Sequence, residues 1–236
     1  MEVKKVTKTI LKTMPRATRE AAPDATLSNY EITRNQMRTV FTAYDQDKII
    51  RKFSLESDAD YIYLEFIRRN YRIGRQNGIV EWSDDGFATT AEADFNECMT
   101  IYEVLCDSKD DLHLSGKYLP VHSLNKNVCM SGVGADFFQK NADAMNGRTG
   151  DLIRACRALG EVTDMVGDVS AVLYPFSFLP VTLQFWEADD EFPASLKIMF
   201  DENTLDYMRF ETTFYMVSHL LKRIEEIMDS DICRKD

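Results

Sequence analysis

Val169–Trp186 reads VSAVLYPFSFLPVTLQFW, and EADDEFPASLKIMFD carries the chain on to Asp201. No charge falls between Asp168 and Glu187, after which four carboxylates arrive within five residues. A second apolar run, Ala194–Phe200, closes the unit. Val181, Leu183 and Phe185 alternate with Thr182, Gln184 and Trp186, the period of a strand with one buried face. Pro175 and Pro180 break any helix of that length and mark strand boundaries. A membrane span needs about 20 predominantly apolar residues. This run is shorter and carries Ser170, Ser177, Thr182 and Gln184. The stretch reads as two core strands joined by a tight acidic loop.

Outward from that unit, 236 residues fit one large domain, or one domain with an arm. A chain this long buries enough surface to fold without disulfides or metal. The formal charge of −11 argues against a nucleic-acid binder, which needs a basic face. Cys98, Cys106, Cys129, Cys156 and Cys233 are odd in number and form no CxxC pair. They read as free thiols in a reducing cytoplasm rather than a disulfide or metal framework. No signal peptide or transmembrane segment is expected.

Residues 1–26 differ in composition. Lys4, Lys5, Lys8, Lys12, Arg16 and Arg19 face only Glu2 and Glu20 through position 20. Val3, Val6, Ile10 and Met14 give a thin helical stripe, so this is read as a basic arm that docks on its own acidic body or on another subunit. A helix follows from Ser28 to about Phe53, and with it the arm offers a route to a homo-oligomer. The expected division is thus 1–56, arm and first helix, and 57–236, the main domain.

Strands begin at Tyr61–Ile67. Asn77-Gly78 signals a two-residue hairpin turn. It would pair Gln76 with Ile79 and Ile73 with Trp82, with Tyr71, Ile73, Val80 and Trp82 on the core face. Thr89 and Glu92 have the spacing of a capping box for a helix reaching Cys106. An extended piece, Lys117–Leu124, leads to helices over Asp136–Met145 and Thr149–Leu159. The final helix runs from about Glu211 to Met228. The fold class is α+β, an antiparallel sheet packed with helices and preceded by the basic helical arm.

Residues from about Tyr61 to Met228 resemble a prokaryotic domain family of unknown function, the DUF numbered three-seven-eight-six. The resemblance rests on Phe185-Trp186-Glu187-Ala188-Asp189-Asp190-Glu191-Phe192-Pro193-Ala194, on Phe200-Asp201 and on the C-terminal helix. It implies the fold. It further implies a place beside anaerobic corrinoid or one-carbon chemistry, where some relatives carry a cysteine-rich iron–sulfur segment. This chain has no four-cysteine cluster, which puts an electron-transfer role in doubt.

The candidate binding site is the acidic turn with its flanking aromatics: Trp186, Glu187, Asp189, Asp190, Glu191 and Phe192. Oxygen donors at that density suit Mg²⁺ or Ca²⁺. Glu187, beside Trp186, is the carboxyl expected to titrate high. Against this stands a solvated loop that keeps a hydrophobic strand pair soluble. No EF-hand or HExxH spacing occurs, and no metal ligand set is expected. His219 falls about 200° round the final helix from Val217, on the face expected to be exposed near Lys222 and Arg223. Gly132-Val133-Gly134 reads as a flexible helix entry. Arg68, Arg69, Arg72 and Arg75 read as a solvated hairpin face. Three functions remain open: a cytoplasmic module binding an unknown small molecule or protein partner, a cation-assisted enzyme at the 187–191 turn, or an oligomerising scaffold. Catalytic residues and cofactor stay unassigned.

Overall fold

The computed structural model describes residues 28–124 and 138–230. Over these residues, eight helices accompany two five-stranded antiparallel sheets, an α+β architecture. The first sheet is a meander of β1 (Glu56–Ser57), β2 (Tyr61–Phe66), β3 (Arg69–Gly74), β4 (Val80–Ser83) and β5 (Ala91–Glu92), in that spatial order. In the second, β6 (Tyr118–Pro120), β7 (Gly160–Thr163), β8 (Val169–Phe176), β9 (Leu179–Trp186) and β10 (Ser195–Asp201) lie in the order β6-β10-β9-β8-β7.

The uncharged run that opens the sequence analysis is itself a hairpin, so three strands stand where two were expected. β8 turns at Ser177-Phe178 into β9, with Phe176 opposite Leu179, and β10 then pairs with β9 across the acidic turn. The Ser177-Phe178 turn lacks Gly, Asn and Asp, the residues that usually announce one. A register shift between Leu173 and Phe176 accommodates Pro175, which has no N–H to give the ladder. Its carbonyl instead accepts the Ile67 N–H at 2.8 Å and so links the second sheet to the first.

The helix expected over 28–53 divides. α1 (Asn29–Thr42) starts on a capping box between Ser28 and Glu31, and α2 (Gln46–Phe53) starts afresh where the Asp45 carboxylate accepts the Lys48 N–H. Met37, Phe41 and Ile49 from these two helices enter the same hydrophobic core as the strands. α3 (Phe95–Asp107) begins not at the Thr89–Glu92 spacing but at a capping box of Asp94 and Glu97. Thr89 is occupied locally, donating to Asp85 at 2.6 Å.

The β3–β4 hairpin differs in register by two residues. Ile73 faces Val80, and Trp82 faces Tyr71. Its loop is four residues long, Arg75 to Gly78, closed by Gly78 N–H to Gly74 O at 2.7 Å and Gly74 N–H to Ile79 O at 2.9 Å. Gly78 sits at φ +67, and a Cβ there would meet the Arg38 carbonyl oxygen at 2.9 Å. A shift of two keeps strand parity, so Tyr71, Ile73 and Val80 are fully buried as expected. Trp82 is only half-buried.

The extended piece expected over 117–124 is β6 followed by the short helix α4 (Val121–Leu124). α5 (Gln139–Met145) begins after the undescribed segment, and α6 (Thr149–Leu159) lies where expected. The small helix α7 (Thr204–Tyr207) precedes α8 (Phe210–Ser230), which packs against α3 and α6. The basic arm, the Gly132–Gly134 entry, Cys129 and Cys233 lie outside the described residues. Cys98, Cys106 and Cys156 are free and buried. No helix among the described residues is long and apolar enough to cross a membrane.

Candidate functional site

The β9–β10 turn is held at its tip by one of its own carboxylates and at its base by two residues from outside it. Asp189 accepts the N–H of Glu191 at 2.8 Å and of Phe192 at 2.7 Å. These two bonds hold its carboxyl below the ordinary aspartate range. At the base of the turn, Asp168 accepts the Glu187 N–H at 2.7 Å and Asn146 accepts the Ala188 N–H at 3.0 Å. Gln139 of α5 donates to the Ala194 carbonyl at 3.1 Å. An acidic segment that composition alone would leave as solvated loop is thus fixed at both ends and at its tip.

Beside it lies a cleft of about 1210 Å³. Trp186, Phe192, Lys197, Val121, His122 and Phe138 are among the residues that line it. The Lys197 ammonium lies 4.7 Å from the Trp186 ring centre, a cation–π distance. Phe192 is 66% exposed, an apolar ring left in water at the cleft mouth. Of the six residues expected at the site, Trp186, Glu187, Asp189 and Phe192 line the cleft, while Asp190 and Glu191 are exposed and outside its lining. The carboxylates of the turn do not gather at metal-ligand spacing.

Among the described residues, such a gathering occurs elsewhere: Asp94, Glu97 and His219 bring one donor atom each within 4.8 Å of one another. Here the expectation of an exposed His219 is corrected. The residue is 2% exposed, because α8 is covered by α3 on one side and meets Phe66 of the first sheet on another. Its ring stacks on Phe66 with centroids 5.5 Å apart and planes 13° apart. Nε2 lies 3.3 Å from both Glu97 Oε1 and the Tyr71 hydroxyl, and Tyr71 donates to Glu97 at 2.5 Å. Burial lowers the His219 pKa to about 4, so the ring is neutral at pH 7. Burial also raises the Glu97 carboxyl and the Tyr71 phenol above their ordinary values. The sequence signal for this cluster is the Asp94-x-x-Glu97 spacing, the same device that caps α3.

The four arginines of the first hairpin are paired. Arg68 meets Glu65 at 3.2 Å, Arg72 meets Glu81 across the strands at 2.8 Å, and Arg75 bonds Gln46 and Asp47. Arg69 is buried, lies 3.7 Å over the Trp82 ring, and meets Asp84 and Glu226. His113 sits against Asn203 at 3.1 Å, and His122 belongs to the cleft.

A family described as Domain of unknown function (DUF3786) has a model that matches residues 45–223, well over half the chain. The match begins within the first helices, upstream of Tyr61. No curated protein and no solved structure matches the sequence.

Proposed function

The chain belongs to the DUF3786 family, and from that premise we propose that it is a binding protein for a small molecule with a flat apolar part, held in the cleft at Trp186. The carrying observation is the cleft itself, about 1210 Å³, walled by Trp186 and Phe192. That is somewhat above the ~300–1,000 Å³ of ordinary small-molecule sites. An exposed phenylalanine is unfavourable in water and favourable against a ligand ring. The fixed hydrogen bonds of the turn favour recognition without large rearrangement. A cation-assisted enzyme at 187–191 has less support, since Asp189 already commits one carboxylate oxygen to two backbone N–H groups and the turn's carboxylates do not gather at ligand spacing. Buried free thiols at Cys98, Cys106 and Cys156 fit a cytoplasmic setting.

The test is native mass spectrometry of the freshly purified protein, followed by a metabolite-library thermal shift on wild type and Trp186→Ala. A bound or stabilising compound that quenches tryptophan emission and loses its effect in Trp186→Ala supports the proposal. Stabilising compounds that act equally on both proteins would place the ligand elsewhere.

A further inference from the structure

Apart from that cleft, we infer that Asp94, Glu97 and His219 form a site for a divalent first-row transition-metal ion, with Zn²⁺ the leading candidate. His219 Nε2 is 3.3 Å from Glu97 Oε1 and 3.3 Å from the Tyr71 oxygen. A charge-assisted bond between imidazole and carboxylate would draw in to about 2.7–2.9 Å. Two ligands bound tetrahedrally to one ion at about 2.0–2.1 Å stand about 3.3–3.4 Å apart. The His219–Glu97 pair already stands at the second spacing, and the Asp94 donor, within 4.8 Å of both, would complete the set by a small side-chain movement.

Burial points the same way. The side chains of His219 and Glu97 are 1% and 4% exposed. Nδ1 of His219 has no hydrogen-bond partner. Nε2 reaches its two neighbours only at the long distance given above. An ion on Nε2 would replace these two long contacts with a bond to a buried carboxylate's counter-charge, and Nδ1, the other ring nitrogen, would stay as it is. Each carboxylate already has one oxygen fixed by the capping box, Glu97 by the Asp94 N–H and Asp94 by the Glu97 N–H at 3.0 Å. The helix start therefore holds the two oxygen donors still. Asp94 stands at the surface end, 45% exposed and 3.5 Å from Lys222, which gives an ion a route in past a displaceable lysine.

One imidazole and two carboxylates suit Zn²⁺, Mn²⁺ or Fe²⁺ better than Ca²⁺ or Mg²⁺, which prefer oxygen-only sets. Tyr71 donates to Glu97 Oε1, the oxygen that faces His219, and so holds that ligand in place from beside the site. The ligands come from the start of α3 and the middle of α8, so an ion would fasten those helices together beneath β3.

The test uses the full chain. Zn²⁺, Mn²⁺, Fe²⁺ and Co²⁺ are added separately to chelator-stripped protein, with calorimetry, thermal shift and the visible d–d bands of Co²⁺ as readouts. One ion per chain is expected, with a raised melting temperature and Co²⁺ bands of a low-symmetry site. Asp94→Asn keeps an efficient helix cap while removing one charged ligand. It should weaken binding by at least the ~10–100-fold that losing even an outer-shell partner costs. His219→Ala should abolish the Co²⁺ bands, and Asp190→Asn in the distant turn should change nothing. Folded wild type that takes up none of the four ions overturns the assignment. So does uptake that Asp94→Asn leaves unchanged, and because that variant retains the cap, the outcome does not hinge on whether His219→Ala folds.

Discussion

Tyr71 on β3 lies directly opposite Trp82 on β4, yet only the tyrosine is fully buried. The tyrosine points its hydroxyl at Glu97, and the tryptophan lies under the Arg69 guanidinium. Tyr71→Phe should cost about 1–3 kcal/mol, because it strips a donor from a buried carboxylate while keeping the ring. Trp82→Ala should cost about 1–2 kcal/mol, less than the ~3–5 of a fully buried tryptophan. Urea melts of both variants check the pair. A Trp82 loss above about 3 kcal/mol would contradict its half-buried position.

Gly78 should tolerate no side chain. At φ +67, with the Arg38 carbonyl oxygen 2.9 Å from where a methyl would sit, Gly78→Ala is both strained and crowded. The Gly78 carbonyl also accepts the buried Tyr102 hydroxyl. A loss of about 1–3 kcal/mol is expected in thermal or urea unfolding.

Asp201 should govern part of the acid limb of stability. The residue is buried, and its carboxylate accepts the N–H groups of Ser115, Asn203 and Gly116 at 3.0, 2.9 and 2.8 Å. Burial pushes its pKa up, but these bonds outweigh that and hold it below the ordinary aspartate value. A carboxyl depressed in the folded state stabilises above its unfolded pKa, and the contribution fades as pH falls through the folded value. Asp201→Asn should therefore be less stable by about 1.5–3 kcal/mol at pH 7 and should lose less than wild type between about pH 5 and pH 2. Parallel stability curves for the two proteins would contradict this.

Within the acidic turn, the sensitive carboxylate should be Asp189. It holds two backbone N–H groups, whereas Asp190 is simply exposed. Asp189→Ala should lower the melting temperature and loosen the turn in amide exchange, and Asp190→Ala should do neither. This reverses the expectation from sequence, in which Glu187 next to the core is the carboxyl set apart from its neighbours.

Parity and apolar period were legible in the residues, while turns and caps were less so. The faces of β3 and β4 followed from alternation, which a two-residue register shift cannot disturb. The shift itself could not be read, because Asn77-Gly78 signals a two-residue turn, while the longer loop is held by Asn77 on Ile79 and by long-range bonds from Arg75 to Gln46 and Asp60. Ser177-Phe178 carries no turn residue, so a hairpin looks like one strand. Trp186 and Phe192 marked the cleft through their sequence neighbourhood. Tyr71, Glu97 and His219 are far apart in the chain and meet only in space, and a wheel drawn for one buried face puts His219 in water. α8 has neighbours on more than one side, which no single-helix pattern reports.

The second sheet grows from neighbours inward and is finished from far away. β8, β9 and β10 follow one another through short turns, while β6 reaches the edge of β10 from a distant part of the chain, with Leu119 opposite Phe200. Closing two short turns costs little chain entropy, and recruiting a remote strand costs more. The β8-β9-β10 unit is therefore expected to fold early, with β6 joining it late. Because Val121 and His122 follow β6 directly, the part of the cleft lining they supply is expected to assemble with that late strand. Pulse-labelling hydrogen exchange should find the amides of β9 protected before those of Tyr118 and Leu119.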